Sequence, residues 1–349
     1  MKKQENVMEN KGNSCNDKGE YILSNPWLRV YLSPWGAGIH RIYCNSPDNT
    51  FKNIALTLKD IADYTQNSSY AGATLAPTSG RLEHGILKLS GHHFTLDRNE
   101  NEKNHLHGGS HNLSFCQWTL KELTDVTAQF TADAVDGLDG YPGNRKFEVT
   151  YKINGNQLVI NQNAWSDKET YFNLSNHTYF NLNSFSESGL DQYLYIQSER
   201  AAINDISHIP RKISDIKNTP LDFRYKQIIG RQKEQFSSDS QIQYARGFNH
   251  CYLLKKENSS LPDAALFSLD KKMCMELYTD SPALVLYSGG FLNSDLQYWK
   301  NENDTEPLYP GCAIALEPCS VPVFNGNVQG MRTFSRQIIY KFIPNDIES

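Results

Sequence analysis

A histidine set between two asparagines, in Leu174-Ser175-Asn176-His177-Thr178-Tyr179-Phe180-Asn181-Leu182, is the first group in this chain with evident chemistry. A strand through the run sends alternate side chains to opposite faces. Asn176, Thr178 and Phe180 then share one face, and Ser175, His177, Tyr179 and Asn181 share the other. The second face is a row of groups able to hold a hydroxylated ligand around one proton carrier. Histidine gives and takes a proton near neutral pH, and a neighbouring carboxylate would favour its cation. His177 could then protonate an ether-type oxygen, such as the ring oxygen of a pyranose. On spacing alone, a core histidine bonded to a strand neighbour is the simpler explanation.

Glu317 follows the apolar run Cys312-Ala313-Ile314-Ala315-Leu316 and precedes Pro318. Proline has no backbone donor, so the ladder is expected to end there. A carboxylate at the end of a buried strand is costly without a partner. It is either a base that removes a hydroxyl proton or half of an ordinary ion pair. His105, His107 and His111 are close in sequence, but their spacing fits no zinc pattern and no nearby Cys or acid completes a set, so no metal is expected. Gly108-Gly109 allows a sharp turn that could present a histidine into a cleft, or merely a loop. Arg81, after Pro77-Thr78-Ser79-Gly80, could fork two hydrogen bonds to a ligand or lie in a surface ion pair. There is no Walker loop or dinucleotide fingerprint, and no serine-hydrolase elbow.

The elements that must position these groups read as strands. Trp27 to Leu32 alternates, as does Phe147 to Ile153, and Asn154-Gly155 followed by Leu158-Val159-Ile160 predicts a hairpin. Further strands are expected at Ala265 to Leu269, Met273 to Tyr278, Ala283 to Tyr287 and Gln337 to Ile343. One short helix is expected over Thr57 to Thr65, with Leu58, Ile61 and Ala62 inward. Many short strands between Gly, Asn, Asp and Pro predict an all-β fold, an antiparallel sandwich or barrel. Residues 1–19 read as a flexible polar tail with little to bury, and 20–349 as one domain, which 349 residues permit for an all-β fold.

A net charge of −5 provides no broad basic surface, so nucleic-acid binding is not expected. No signal-peptide core and no membrane-spanning run is apparent, and a cytoplasmic protein is expected. The seven cysteines are odd in number and scattered, without a C-x-x-C pair, and read as reduced thiols. The 19 tyrosines suit both strands and sugar sites, where flat rings cover C–H faces.

Taken together, the motifs resemble the aldose 1-epimerase (galactose mutarotase) family, from about Trp27 to Phe342. The matching pieces, in order, are Gly36-Ala37-Gly38, Gly72-Ala73-Thr74 with Gly80-Arg81, Asn104-His105-Leu106-His107-Gly108-Gly109, Asp139-Gly140-Tyr141-Pro142-Gly143-Asn144, Asn176 to Leu182, Thr219-Pro220-Leu221-Asp222-Phe223-Arg224, Gly247-Phe248-Asn249-His250 and Leu316-Glu317-Pro318. The resemblance implies a large antiparallel β-sandwich, the mutarotase-like supersandwich, with few short helices and an open sugar cleft. It implies interconversion of the α and β anomers of a free aldose, with His177 as acid, Glu317 as base, and Arg81 and His107 binding sugar. Neither metal nor organic cofactor is expected, and the chain would act as a monomer or homodimer. Three segments depart from the family pattern. Asn249 stands where Asp is usual, Cys319-Ser320 where Gln-His is common, and Gly290 where Asn is frequent. Asn249 is expected to contact a sugar hydroxyl, and Phe291 to offer a ring to a sugar face or to the core. A non-catalytic sugar-binding protein, or a relative acting on other sugars or sugar phosphates, is the alternative.

Overall fold

The computed structural model describes residues 15–16, 19–45, 50–256 and 260–344. Most of the expected polar tail lies outside these residues. Two antiparallel sheets dominate. The larger has nine strands, in spatial order Thr119–Leu123, Thr127–Ala134, Arg145–Asn154, Gln157–Thr170, Met331–Pro344, Met273–Thr279, Ala264–Phe267, Tyr193–Ile196 and Gln227–Ile228. The smaller has six, in the order Tyr179–Phe180, Ile314–Cys319, Ala283–Tyr287, Asn249–Leu254, Ser198–Asn204 and Pro210–Asp215. A further four-stranded sheet, from Tyr21–Ser24 to Phe51–Asn53, shares their core. Helices are few and short, the longest being Ile229–Gln235.

Period-two alternation builds the sandwich. On the six-stranded sheet, Tyr252, Leu284, Leu286, Ile314 and Leu316 join one core with Leu158, Ile160, Met275, Leu277, Ile338 and Tyr340 of the nine-stranded sheet. The intervening residues Asn249, Cys251, Val285, Tyr287, Glu317 and Cys319 must then point the other way, and they line a cleft. The long hairpin forms as predicted, but its loop is Gly155-Asn156, because Asn154 already pairs with Gln157. Gly155 takes the left-handed conformation (φ +57°) that such a tight turn requires.

Two local expectations need correction. The helix predicted over Thr57 to Thr65 is a 3₁₀ turn, Ile61–Gln66. Ile61 and Ala62 are exposed, while Leu58 and Tyr64 are buried, and the Tyr64 hydroxyl accepts the Leu58 N–H. The tighter three-residue period removes the shared face that an α-helix would have provided. The ladder also continues past Pro318 to Cys319, which pairs with Ala283. On the other flank, only Ile314 and Ala315 of this strand pair with Tyr179–Phe180, so no ladder bond is due from the proline there.

Candidate active site

His177 sits at a crossing between two sheets. Ser175 and Asn176 pair with Leu75 and Thr74, whereas Tyr179 and Phe180 pair with Ala315 and Ile314. Between them the His177 backbone is fixed on both sides: its N–H donates to Ala73 O (2.9 Å), and its carbonyl accepts the Gly72 N–H (3.0 Å). Asn176 closes the turn by accepting from the Thr178 N–H and hydroxyl. The face predicted for a ligand is thus only partly built. His177 and Tyr179 line the cleft, but Ser175 donates to Pro318 O and Asn181 to Glu187 O and Cys312 O. Backbone carbonyls left over by the strand switch claim those two side chains.

Glu317 reaches the same spot from the adjacent strand. Its Oε1 lies 3.4 Å from His177 Nε2, and the two residues are 3% and 4% exposed. Rings crowd the pair. His177 lies 4.8 Å from Tyr179, 6.1 Å from Tyr287 and 6.2 Å from Tyr70, between ring centroids. His107 meets it edge to face at 5.6 Å. The expectation that proximity would charge both partners is not met. Burial pushes the Glu317 carboxyl up to about 8, with the Cys319 charge adding and Arg81 opposing. Burial likewise pushes His177 down to about 4. Burial of both groups thus favours the uncharged form of each near neutral pH, rather than a salt bridge.

The three sequence-adjacent histidines go separate ways. His105 is held between Asp97 O and the Tyr141 hydroxyl, and His111 is exposed against Asp139. Only His107 lines the cleft. His107, Gly108 and Gly109 take positive φ in succession (48°, 94°, 102°), and a Cβ on Gly108 would lie 2.7 Å from Ala76 O. The glycines therefore make the turn that presents His107. His107 Nδ1 accepts the Gly80 N–H (3.3 Å), so its neutral ring carries the proton on Nε2. Burial foremost, with the Arg81 charge adding, holds it well below the ordinary histidine value.

Arg81, Asn249 and Phe291 line the same cavity, of about 520 Å³, ample for a small ligand. Arg81 is bound in a fork to Glu100, with contacts of 2.7 to 3.0 Å. Phe291 is 41% exposed, with Arg246 over its ring and His208 at its edge. Glycine at 290 has a steric cause: a Cβ would lie 2.4 Å from Ala245 O. Sequence reasoning missed Tyr70, Glu100, Tyr171, Asn173 and Tyr287, all in the lining. Tyr171 and Asn173 were findable, since they extend the odd-numbered face of His177 backwards. Glu100 lies in a loop with no periodic signal. Among the described residues, no group of three or more His, Cys, Asp or Glu could hold a metal ion.

The aldose 1-epimerase family profile matches residues 20–331. The chain belongs to that family. Its sequence is 28% identical to galactose mutarotase of Sus scrofa over 293 residues, covering 83% of this chain and 82% of that protein. It is 27% identical to aldose 1-epimerase of Escherichia coli K12 over 304 residues, 86% and 85% of the two chains. Among solved structures, galactose 1-epimerase from Lactobacillus acidophilus superposes with a TM-score of 0.80 at 28% identity, covering 94% of this chain and 95% of that one. An aldose epimerase homologue from C. elegans has a TM-score of 0.82 at 21% identity, covering 94% and 99%, which bears on the fold alone. Among the described residues, no helix is long and apolar enough to cross a membrane.

Proposed function

We propose that the chain interconverts the α and β anomers of free aldohexoses, galactose or glucose, by opening and closing the pyranose ring. The observation that carries this is the buried His177–Glu317 pair, 3.4 Å apart in a ring-lined cleft, with burial raising the one and lowering the other. Mutarotation needs one base at the C1 hydroxyl and one acid at the ring oxygen, so a single shared proton suffices. In the reactive arrangement Glu317 is the carboxylate and His177 the imidazolium. That state differs from the resting pair only by a proton shift within the pair, and sugar hydroxyls bonded to the new charges favour it. Glu317 takes the C1 hydroxyl proton, His177 protonates the ring oxygen, and the C1–O bond opens to the aldehyde. Rotation about C1–C2 presents the other carbonyl face, and the two groups reverse roles as the ring closes. His107 Nε2–H is placed to donate to a charged sugar oxygen, Arg81 and Asn249 bind hydroxyls, and Phe291 covers a C–H face.

Free sugars fit better than sugar phosphates. Arg81 is already neutralised by Glu100. Arg224 is paired with Asp222, and Arg145 is buried against the carbonyls of Gly143, Val135 and Leu138. Neither of these two, nor Arg246, lines the cleft; the other cation in the lining is Lys103, whose Nζ lies 3.4 Å from the Ser207 hydroxyl. A cytoplasmic monomer or homodimer completes this reading.

The test is polarimetry of freshly dissolved α-D-galactose and α-D-glucose with the protein and with Glu317→Gln. Acceleration that disappears in the variant is expected. Full activity in the variant would remove Glu317 from its role, and sugar binding without any acceleration would make the protein a sugar-binding module.

A further inference from the structure

One wall of the cleft contains a polar assembly with no part in that mechanism. Asn204 and Asn249 both line the cavity, at the same end of neighbouring strands, Ser198–Asn204 and Asn249–Leu254. The ladder between these strands reaches Ala201 and Tyr252 and stops short of the two asparagines. On its other side Asn204 stands opposite Pro210, after a register shift, and proline has no N–H to give. The Asn204 backbone therefore needs partners from elsewhere. Gln241, in the short helix Ser240–Ala245, provides both. Its Oε1 accepts the Asn204 N–H (2.8 Å), and its Nε2 donates to Asn204 O (2.9 Å). Asn204 Nδ2 in turn donates to Asn249 O (2.9 Å). His250 closes the loop. Its Nδ1 accepts the Asn249 N–H (3.1 Å), which leaves the proton on Nε2, and Nε2 donates to Gln241 Oε1 (3.2 Å). His250 is 1% exposed and Gln241 9%.

Backbone groups fix every direction in this loop. A flipped Gln241 would set its amine against the Asn204 N–H and its oxygen against the Asn204 carbonyl. A flipped Asn204 would set oxygen against the Asn249 carbonyl. Asn204 Oδ1 therefore lies on the side of its carboxamide away from Asn249 O. Among the described residues neither Asn204 Oδ1 nor the Asn249 carboxamide has a hydrogen-bond partner. Burial takes the His250 ring down to about 3, so it stays neutral and keeps its tautomer near neutral pH.

We propose that Asn204 is a second sugar-binding amide, acting beside Asn249 on neighbouring hydroxyls at the end of the sugar remote from C1, and that Gln241 and His250 are positioning residues for the pair. This rests on the sugar site proposed above. The sheet runs from the Glu317 strand through Ala283–Tyr287 and Asn249–Leu254 to the Asn204 strand. Three strand spacings, about 14 Å, separate the outer two backbones. The Glu317 and Asn204 side chains, with a pyranose held by a hydrogen bond of about 3 Å at each end, span that distance. With C1 at Glu317, Asn204 meets the hydroxyl on C3, C4 or C6. A hydroxyl both gives and takes a hydrogen bond, and a carboxamide has one group for each. Two adjacent amides thus match adjacent hydroxyls without burying a charge.

The experiment measures Kd for D-galactose and its 2-, 3-, 4- and 6-deoxy analogues by NMR titration, with polarimetry in parallel. Asn204→Ala should weaken galactose by roughly three- to tenfold, the size of one neutral hydrogen bond, with a smaller change in kcat. It should also abolish the penalty for removing one hydroxyl, at C3, C4 or C6, and keep the others. Asn249→Ala should abolish the penalty at a neighbouring position. Gln241→Met should reproduce the Asn204→Ala pattern, and combining the two should weaken galactose no further, since both act through one contact. His250→Phe should give the same pattern, and His250→Gln, which keeps a donor for Gln241, should restore most of the affinity. Weakening of every analogue by Asn204→Ala with all penalties kept would reduce Asn204 to a strand brace and overturn the contact. Equal affinity of the unaltered protein for galactose and its 3-, 4- and 6-deoxy analogues would overturn it as well. Additive losses in the double variant would remove the positioning role of Gln241. These binding signatures without mutarotation would sink the function proposed above and keep the Asn204 assignment. Mutarotation with Asn204→Ala indistinguishable from the parent would do the opposite, and a protein that bound none of the sugars would overturn both.

Discussion

Among the described residues there are two buried Glu–His contacts of nearly equal length, and they behave in opposite ways. Glu20 Oε1 lies 3.1 Å from His40 Nδ1, and Glu317 Oε1 lies 3.4 Å from His177 Nε2. All four residues are at most 4% exposed. Burial lowers both histidines, and each ring keeps one buried nitrogen with no partner among the described residues, His40 Nε2 and His177 Nδ1. The carboxyls differ. Arg41 and the Asn16 amide also bond Glu20, and with His40 they bring it down to about 2 despite burial. Glu317 has no such bonds, and burial takes it up to about 8. A carboxylate surrounded by donors is a structural anchor. One left without them is poised to exchange a proton near neutral pH.

Exchanging each glutamate for glutamine should separate the two roles. Glu317→Gln should lower kcat by about 10²–10⁴-fold without loss of stability at neutral pH. Glu20→Gln should do the reverse. The folded protein should turn over normally, but urea unfolding should show a loss of about 3 kcal/mol or more, since Arg41 is left without its buried partner. Equal activity losses in both variants would break the comparison.

The pH dependence of stability should differ in sign. Glu20 has a folded pKa below the carboxylate's unfolded 4.5, so its contribution is present above pH 4.5 and is lost as pH falls towards 2. Glu317 has a folded pKa above 4.5, so its contribution is present below pH 4.5 and is lost as pH rises through 8. The urea midpoint of Glu317→Gln, relative to the parent, should therefore climb between pH 4.5 and 8. That of Glu20→Gln should recover as pH falls below 4.5. The mutarotation rate should be bell-shaped, with limbs near 4 and 8, because one proton must remain on the His177–Glu317 pair. A rate still rising above pH 9 would contradict the assignment.

The contrast also marks how far the sequence was legible. Alternation in Phe147 to Ile153 and Ala283 to Tyr287 foretold strands that the structure contains, because period two is a local property. The cleft face of the six-stranded sheet follows from the same rule once Glu317 is placed. What stayed hidden depended on neighbours distant in sequence. Whether Ser175 faces a sugar or a carbonyl was decided by Pro318, 143 positions away. Whether Glu317 is charged was decided by the absence of donors, which no motif records. Glu20 bears the same side chain at the edge of a disregarded tail, and nothing near it in sequence announced Arg41 as its partner.

Two smaller changes sharpen the comparison inside the cleft. Glu100 gives Arg81 the carboxylate that Glu20 gives Arg41, but at a site lining the cavity. Glu100→Gln should release the Arg81 fork. KM for galactose should rise about three- to tenfold, with a smaller change in kcat, and hexose 6-phosphates should compete better than against the parent. Unchanged KM and unchanged phosphate competition would show that Arg81 stays where it is without Glu100.

Phe291 poses the smallest and most local test. Its ring is 41% exposed, so truncation removes little buried surface, and Phe291→Ala should change stability by less than about 1 kcal/mol. If the ring covers a sugar C–H face, its loss should raise KM by roughly fivefold, the equivalent of about 1 kcal/mol of aromatic contact, and leave kcat nearly unchanged. The opposite pattern, with KM constant and stability clearly lower, would mean that the ring serves Arg246 and His208, which already touch it. Phe291 would then join Glu20 on the structural side of the comparison, and the apolar side of the sugar site would have to be sought among Tyr70, Tyr179 and Tyr287, whose rings already surround His177.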